Sequence, residues 1–298
     1  LHSLYKMNGF CDLNVIESLS YTENLLNVKQ LITLGYSVVA INRIQNVFDG
    51  LKKKINNEEK RKRKETVNDD IFSIKNLIQR LTDDINKLQD PEFNLPKDFK
   101  LLSRLTFPLE NFDQIPMLRN DFYKELFDAF DIISVIPGNE KMFKALVDGK
   151  IDVDIISLPL ENKLEYKPTH NLVSLATSRD LTFEICYSAA IKSVSLRKSI
   201  FSNGKQLVQK TKHARGIVLC SGGSTRMDFR SPHDVANIAN LFDLKGAHCL
   251  NSVRKNAHIA ISHAFSRKYT FKGILMVEEM PKDSSKEPLS KKLKFSSG

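Results

Sequence analysis

Tryptophan is absent from this chain, and its aromatic side chains are 18 phenylalanines and seven tyrosines. With stacking platforms this scarce, a protein that reads single-stranded RNA base by base on aromatic faces is disfavoured. Cysteine is sparse as well: Cys11, Cys186, Cys220 and Cys249 form no CxxC pair, and three of them sit in apolar, strand-like runs. They read as buried reduced thiols of a cytosolic or nuclear protein, which argues against a disulfide framework or a zinc site. No apolar run approaches the roughly 18 residues of a membrane-spanning helix. A charged segment followed by an apolar one does not open the chain either, so secretion is not indicated.

Catalytic signatures are missing too. The sequence holds no GxSxG, no GxxxxGK[ST] and no GxGxxG; Ser221-Gly222-Gly223-Ser224 lacks the flanking pattern of any of these. The histidines are dispersed: His170 and His213 in loop-like contexts, His233 in a helix start, and His248, His258 and His263 in one late helical region. A metal hydrolase needs several imidazoles or carboxylates converging on one ion. No metal ligand, cofactor or catalytic residue is therefore assigned.

What is present begins with charge. The 298 residues carry a net charge of +10, which invites a nucleic-acid reading. Its distribution tempers that reading, because residues 52–64 hold +6 and residues 281–298 hold +3, leaving +1 for the remainder. An RNA-binding face on the folded part must come from the placement of cations, not from their excess. The clusters Lys60–Lys64 and Lys291-Lys292-Leu293-Lys294 fit nuclear import signals, non-specific RNA contacts or plain solubilising runs.

Along the chain, short apolar runs alternate with helical patterns. Strands are expected at Phe10–Val15, Ser37–Ile41, Leu101–Phe107, Asp131–Ile136, Ile151–Leu158, Leu181–Tyr187, Ile217–Cys220 and Gly273–Val277. Thr22 is a fair cap for the first helix and Asn139 for a later one, Asn171–Ala176 reads as helix or strand, and Asn203-Gly204 weakens the helix after Val194. Eight buried strands interleaved with helices predict one α/β, TIM-barrel-like (β/α)8 domain over residues 1–280, with a doubly wound open sheet as the alternative. Residues 46–100 interrupt it with a basic excursion, then with Ile71, Ile74, Ile78, Leu81, Ile85 and Leu88 at heptad spacing, an amphipathic helix expected to pack on the barrel or on a partner, the barrel being favoured. Residues 281–298 read as a disordered basic tail.

The most informative stretch is Gly216–Leu244. A buried strand exits through Gly222 and Gly223 into a polar loop with Arg226 and Arg230, and a helix follows with Ser231 at the N-cap, Pro232 at its first position and Asp234 in its first turn. Such a unit is able to offer an anion free backbone amides and arginines; it is also simply a strand-to-helix connection.

This stretch, above all Arg230-Ser231-Pro232-His233-Asp234-Val235-Ala236-Asn237, together with Gly35–Asn42 and Leu181–Ile185, resembles the thirty-kilodalton protein subunit of eukaryotic ribonuclease P and ribonuclease MRP and its archaeal relatives. The similarity runs from about Phe10 to about Met280 around an insertion between Asn46 and Lys100. The resemblance implies a TIM-barrel-like, non-catalytic subunit of a particle whose RNA removes the 5′ leader of precursor tRNA and, in the MRP form, processes precursor rRNA. Implied partners are the RNAs of both enzymes, other protein subunits, especially a small α/β one, and precursor tRNA indirectly, with no membrane; the implied location is nucleus and nucleolus. The family's barrel is related to the polymerase-and-histidinol-phosphatase metal hydrolases, whose first strand ends in His-x-His after Asp-Leu. Here the letters are Asp12-Leu13-Asn14-Val15-Ile16, and isoleucine cannot ligate a metal. A stand-alone metal phosphoesterase is the rival reading.

Function in a barrel gathers on the loops after the strands. Candidate RNA contacts are therefore Arg226, Arg230, Lys192, Arg197, Arg179, Arg104 and Arg43, with Gly222, Gly223 and Ser231 forming an anion-binding helix start; for the two loop arginines, the alternative is bonding to the barrel's own carboxylates. Arg104 lies inside a strand and is costly to bury without a partner. Asp12 and Glu184 read as buried, hydrogen-bonded acids.

Overall fold

The computed structural model describes residues 9–48, 73–87, 95–162, 164, 166, 168–211, 214–271 and 274–275. The basic run 52–64, the ends of the heptad seam at Ile71 and Leu88, His213 and the tail 281–298 lie outside the described residues.

Seven strands form one parallel sheet: β1 (Phe10–Ile16), β2 (Tyr36–Ile44), β3 (Lys100–Leu109), β4 (Ile132–Pro137), β5 (Ile155–Ser157), β6 (Thr182–Cys186) and β7 (Ile217–Cys220). They stand in chain order, so every neighbour is reached by a crossover, as parallel pairing requires. The ring closes at its C-terminal end. There Val15 bridges to Gly223, the Ile16 amide donates to the Gly223 carbonyl at 2.9 Å, and the Gly222 amide donates to Asn14 at 2.9 Å. The architecture is a TIM-barrel-like α/β fold.

Among the described residues no eighth strand completes it. Thr270–Phe271 (β8) and Ile274–Leu275 (β9) pair with each other, antiparallel, in a separate two-stranded sheet. The reason lies in the preceding helices. α10 (Ala247–Ser252) and α11 (Lys255–Tyr269) occupy the lower seam, where the Cys11 amide donates to the Val253 carbonyl at 2.9 Å. The inward residues of the lower barrel, among them Cys11, Leu13, Ala40, Ile132, Ile155 and Val218, then close on Ala257, Ala260, Ile261 and Ala264 of α11. Alanine at three of these four positions lets the helix backbone approach the strand ends, which a larger side chain would hold off. Helix α11 is thus a plug, and it is latched. Asp154 accepts from His263 at 2.8 Å, from Arg267 at 3.1 Å and from the Ile133 amide at 2.8 Å, while Lys268 reaches Asp131 at 2.8 Å. The Asp154 carboxylate on the Ile133 amide also explains why β5 starts at Ile155 and not at Ile151.

Local signals account for the helices. α5 (Glu140–Val147) is capped by Asn139 and α6 (His170–Ser178) by Thr169, so the ambiguous Asn171–Ala176 segment is helical. α1 (Tyr21–Thr33) starts after Ser20, two residues ahead of the favoured Thr22 position, and its entry is fixed by Asn24, which ties back to Ser18 and Ser20, and not by a Ser20 side-chain cap. α8 (Val194–Lys210) runs uninterrupted through Gly204, where a Cβ would lie 2.6 Å from the Phe242 ring; Asn203 turns outward to the Leu160 and Asn162 carbonyls. In α2 (73–86) the heptad seam faces the barrel, with Ile74, Leu81 and Ile85 buried, and Tyr21 of α1 donates to Asp84 at 2.6 Å beneath the Arg80 guanidinium. Among the described residues no helix is long and apolar enough to cross a membrane.

Candidate functional site

Above the apolar plug, the same inward positions turn polar. On β3 the alternation that points Leu102 into the barrel also points Arg104 and Thr106 there; on β6 it delivers Glu184 and Cys186. Arg104 is fully buried. Its guanidinium grips Glu184 with both nitrogens, at 2.6 and 2.7 Å, and donates to the Leu13 carbonyl at 2.7 Å, Ser134 at 3.0 Å, Ser157 at 3.1 Å and Thr106 at 3.1 Å. Burial alone would raise the Glu184 pKa, but the guanidinium charge and its hydrogen bonds outweigh it and hold the carboxyl below its ordinary value. The pair is ionised, mutually neutralised and saturated with hydrogen bonds, the condition under which a buried ion pair is tolerable.

A layer of neutral amides lies over it. Thr106 donates to Asn42 at 2.8 Å, Asn42 donates to Asn14 at 2.7 Å, and Asn14 donates to the Cys186 sulfur at 3.3 Å. This network floors a cavity of about 390 Å³ at the barrel mouth, walled by aliphatic residues including Ile44, Ile136, Leu158 and Ala189. Asn14 and Ile16 both line it. Among the described residues no cluster of histidine, cysteine, aspartate or glutamate is placed to hold a metal ion. Asp12, deeper in β1, accepts from the Asn14 and Ser221 amides; burial nevertheless pushes its pKa up to about 6.

The loop after β7 corrects one expectation. Gly222 and Gly223 do not present free amides to an anion, because those amides donate to Asn14 at 2.9 Å and to Ser221 at 3.3 Å. Gly222 sits at φ +60°, and a Cβ there would lie 2.8 Å from that of Cys186, so the glycine serves the closure of the barrel. The next two amides, of Ser224 and Thr225, both donate to Asp228 at 3.0 Å. Ser231 caps α9 (Pro232–Ala239) as its sequence position indicates, accepting from the Asp234 amide at 3.2 Å, and its hydroxyl is thereby spent.

The candidate cations fall into distinct places. Arg226 is exposed on the 3-10 turn Arg226–Asp228, with no side-chain partner among the described residues. Arg230 donates to the Met227 and Phe229 carbonyls of that loop at 2.9 and 2.7 Å. Lys192 stands at the mouth, half exposed, paired with Asp228 at 2.8 Å. Arg43 forms a two-pronged pair with Glu17 at 2.6 and 2.7 Å. Arg197 donates to the carbonyls of Ala190 and Ile191, at the end of α7 (Ser188–Lys192). Arg179 lies at the opposite end of the barrel, on the Val147 carbonyl at 2.7 Å. Arg104 leaves the set altogether, since a guanidinium with no exposed surface and every donor taken has nothing to give a phosphate. The arginine-to-glutamate link across the lumen, and the serines that complete it, escaped sequence reasoning. Its only signal was polar letters at alternate, inward positions of otherwise apolar strands.

Comparison with known proteins agrees with this geometry. The chain is 29% identical to the probable ribonuclease P protein subunit 3 of Schizosaccharomyces pombe over 269 residues, covering 89% of this chain and 98% of that protein. It is also 29% identical to the ribonuclease P protein subunit p30 of Mus musculus over 265 residues, covering 88% and 89%. A chain in the cryo-electron microscopy structure of archaeal ribonuclease P with mature tRNA shares the fold at a TM-score of 0.59 and 16% identity, covering 92% of this chain and all of that one. The family described as RNase P subunit p30 matches residues 9–269, from the start of β1 to the end of the plug helix, and this protein belongs to that family.

Proposed function

We propose that this protein is a non-catalytic subunit of the ribonuclease P and ribonuclease MRP particles, supporting removal of the precursor-tRNA 5′ leader and processing of precursor rRNA by bracing the catalytic RNA. One observation carries the reading. The centre where a barrel hydrolase would assemble its reacting groups is occupied by a mutually neutralised, hydrogen-bond-saturated Arg104–Glu184 pair under a layer of asparagine amides, and the other cations stand outside it. A rim with such cations screens phosphate repulsion and contacts backbone without reading sequence. Arg226 is its freest cation, and Lys192 and Arg230 flank it on the same loop system. In this reading the partners are the RNAs of the two particles, precursor tRNA through them, and neighbouring subunits including a small α/β one, in nucleus and nucleolus.

The test is affinity purification of the full chain from nuclei with identification of the associated RNA, followed by RNA titrations at several salt concentrations. Arg226→Ala should weaken binding and flatten the salt dependence by roughly one phosphate contact. Stoichiometric divalent metal together with phosphodiester cleavage by the RNA-free protein would overturn the reading in favour of the phosphoesterase.

A further inference from the structure

The cavity at the barrel mouth has a composition that phosphate bracing does not use. Its walls are aliphatic, with Ile44 and Ile136 on one side and Leu158 and Ala189 on the other. Its floor is polar but carries no net charge, because Arg104 and Glu184 cancel within the layer below. Asn14 and Asn42 each spend one amide N–H within the network and retain a second, while the hydroxyls of Thr106 and Ser157 are taken by Asn42, Glu184 and Arg104. At about 390 Å³ the space falls in the range of small-ligand sites. A charged head group would meet an already balanced ion pair and gain little there. A flat, neutral ring with donors and acceptors on its edge would satisfy the floor and fill the walls.

The lip carries charge of both signs, with the exposed Glu161 and Lys192 lining the same cavity. Lys192 lines the cavity and projects at its edge, held by Asp228, and Arg226 stands two residues from that aspartate on a turn made rigid by its own capping box. A neutral interior with Lys192 and Arg226 at the lip fits one nucleotide, base inward and phosphate beside these two cations, on the side of the mouth away from Glu161. We propose that the mouth is a nucleotide subsite that takes a single unpaired base out of a folded RNA and holds it between aliphatic walls while the rim cations contact the flanking phosphates. This rests on the RNA-bracing reading and adds to it a base pocket. Extruded bases are held in this manner elsewhere, by apolar faces and hydrogen bonds to the base edge. The absence of tryptophan fits one enclosed base and not a stacked run.

The experiment titrates the full-length protein with single-stranded oligoadenylate and oligouridylate, with their paired duplex, and with AMP and UMP. The side-chain amide resonances of Asn14 and Asn42 are followed alongside affinity and salt slope. The single strands should bind more tightly than the duplex and shift those amides. Ala189→Phe, which fills the cavity from its wall, should lower single-strand affinity about tenfold or more, leaving duplex affinity and the salt slope unchanged. Ile44→Ser strips the other wall at a half-exposed position that folding tolerates, and should lose affinity severalfold. Shifts with AMP or UMP alone would assign the site to free nucleotides, and shifts with the oligonucleotides alone to an RNA strand; either supports the subsite. Unchanged single-strand binding by both variants, with the wild-type salt slope intact, would overturn the subsite and leave the bracing reading standing. No salt-dependent binding of any RNA would instead sink the bracing reading, and the subsite with it unless AMP or UMP shifts the asparagines.

Discussion

The two ends of the barrel solve the same problem by opposite means. Each end of a closed sheet must seal a lumen lined with main chain. At the base, helix α11 does so with alanines and is tied down by Asp154 and Asp131. At the mouth no helix among the described residues plugs the lumen, and side chains seal it among themselves through Arg104, Glu184, Thr106, Asn42 and Asn14. A helical plug leaves little room for a ligand; a polar floor leaves a cavity with chemistry on its surface. This is the division of labour expected of TIM-like barrels, with stability at the strands' N-terminal ends and function at their C-terminal ends.

The contrast is broken most severely at Arg104. Arg104→Met should cost about 3–5 kcal/mol in urea unfolding by stranding the Glu184 carboxylate, and adding Glu184→Leu should restore much of the loss. A single-variant loss below about 1 kcal/mol would mean that the pair does not hold the upper lumen. Next is Asp12, raised from 3.8 to about 6, so its favourable contribution is complete below the lower value and is lost as pH rises through the upper one. Asp12→Asn should therefore stabilise the protein by on the order of 2–3 kcal/mol at neutral pH and by nothing at pH ~4, seen as a pH-dependent gap between melting curves. At the base, Ala260→Leu should cost about 1–3 kcal/mol by overpacking the plug. A smaller effect comes from His263: burial opposes its proton, yet the Asp154 hydrogen bond and charge outweigh this and raise its pKa above 6.5. Its contribution is full below pH 6.5 and fades as pH rises through the folded-state value, so His263→Gln should flatten the stability profile over that window. Smallest of all, Arg226→Ala should leave stability within about 0.5 kcal/mol of wild type while altering RNA binding, the signature of a rim residue.

Much of this was readable from the letters where local chemistry decides the outcome. Ser231, Pro232 and Asp234 announce a helix start that forms as written, and the heptad isoleucines and leucines of 74–85 mark a buried face. What stayed hidden depends on residues distant in sequence. The Arg104–Glu184 pair spans 80 positions, so neither residue reveals the other. The plug was invisible because its contact face is mostly alanine, which leaves almost no hydropathy signal, and the apolar letters after Gly273 then suggested a strand to fill the vacancy. The glycine loop misled for a related reason: sequence shows that its amides are unhindered, and only the fold shows that Asn14, Ser221 and Asp228 have claimed them.

The seam between β1 and β7 has one more consequence. Main-chain bonds fasten it near Gly223, whereas lower down the two strands rely on Val253 and the helix beyond it. A chain cut ahead of Lys255 would therefore be an uncapped bore, with Cys11, Leu13 and Val218 wetted from below and one side of the tube unsupported. A version that keeps the whole plug has to extend through Tyr269, which is also where the family match stops.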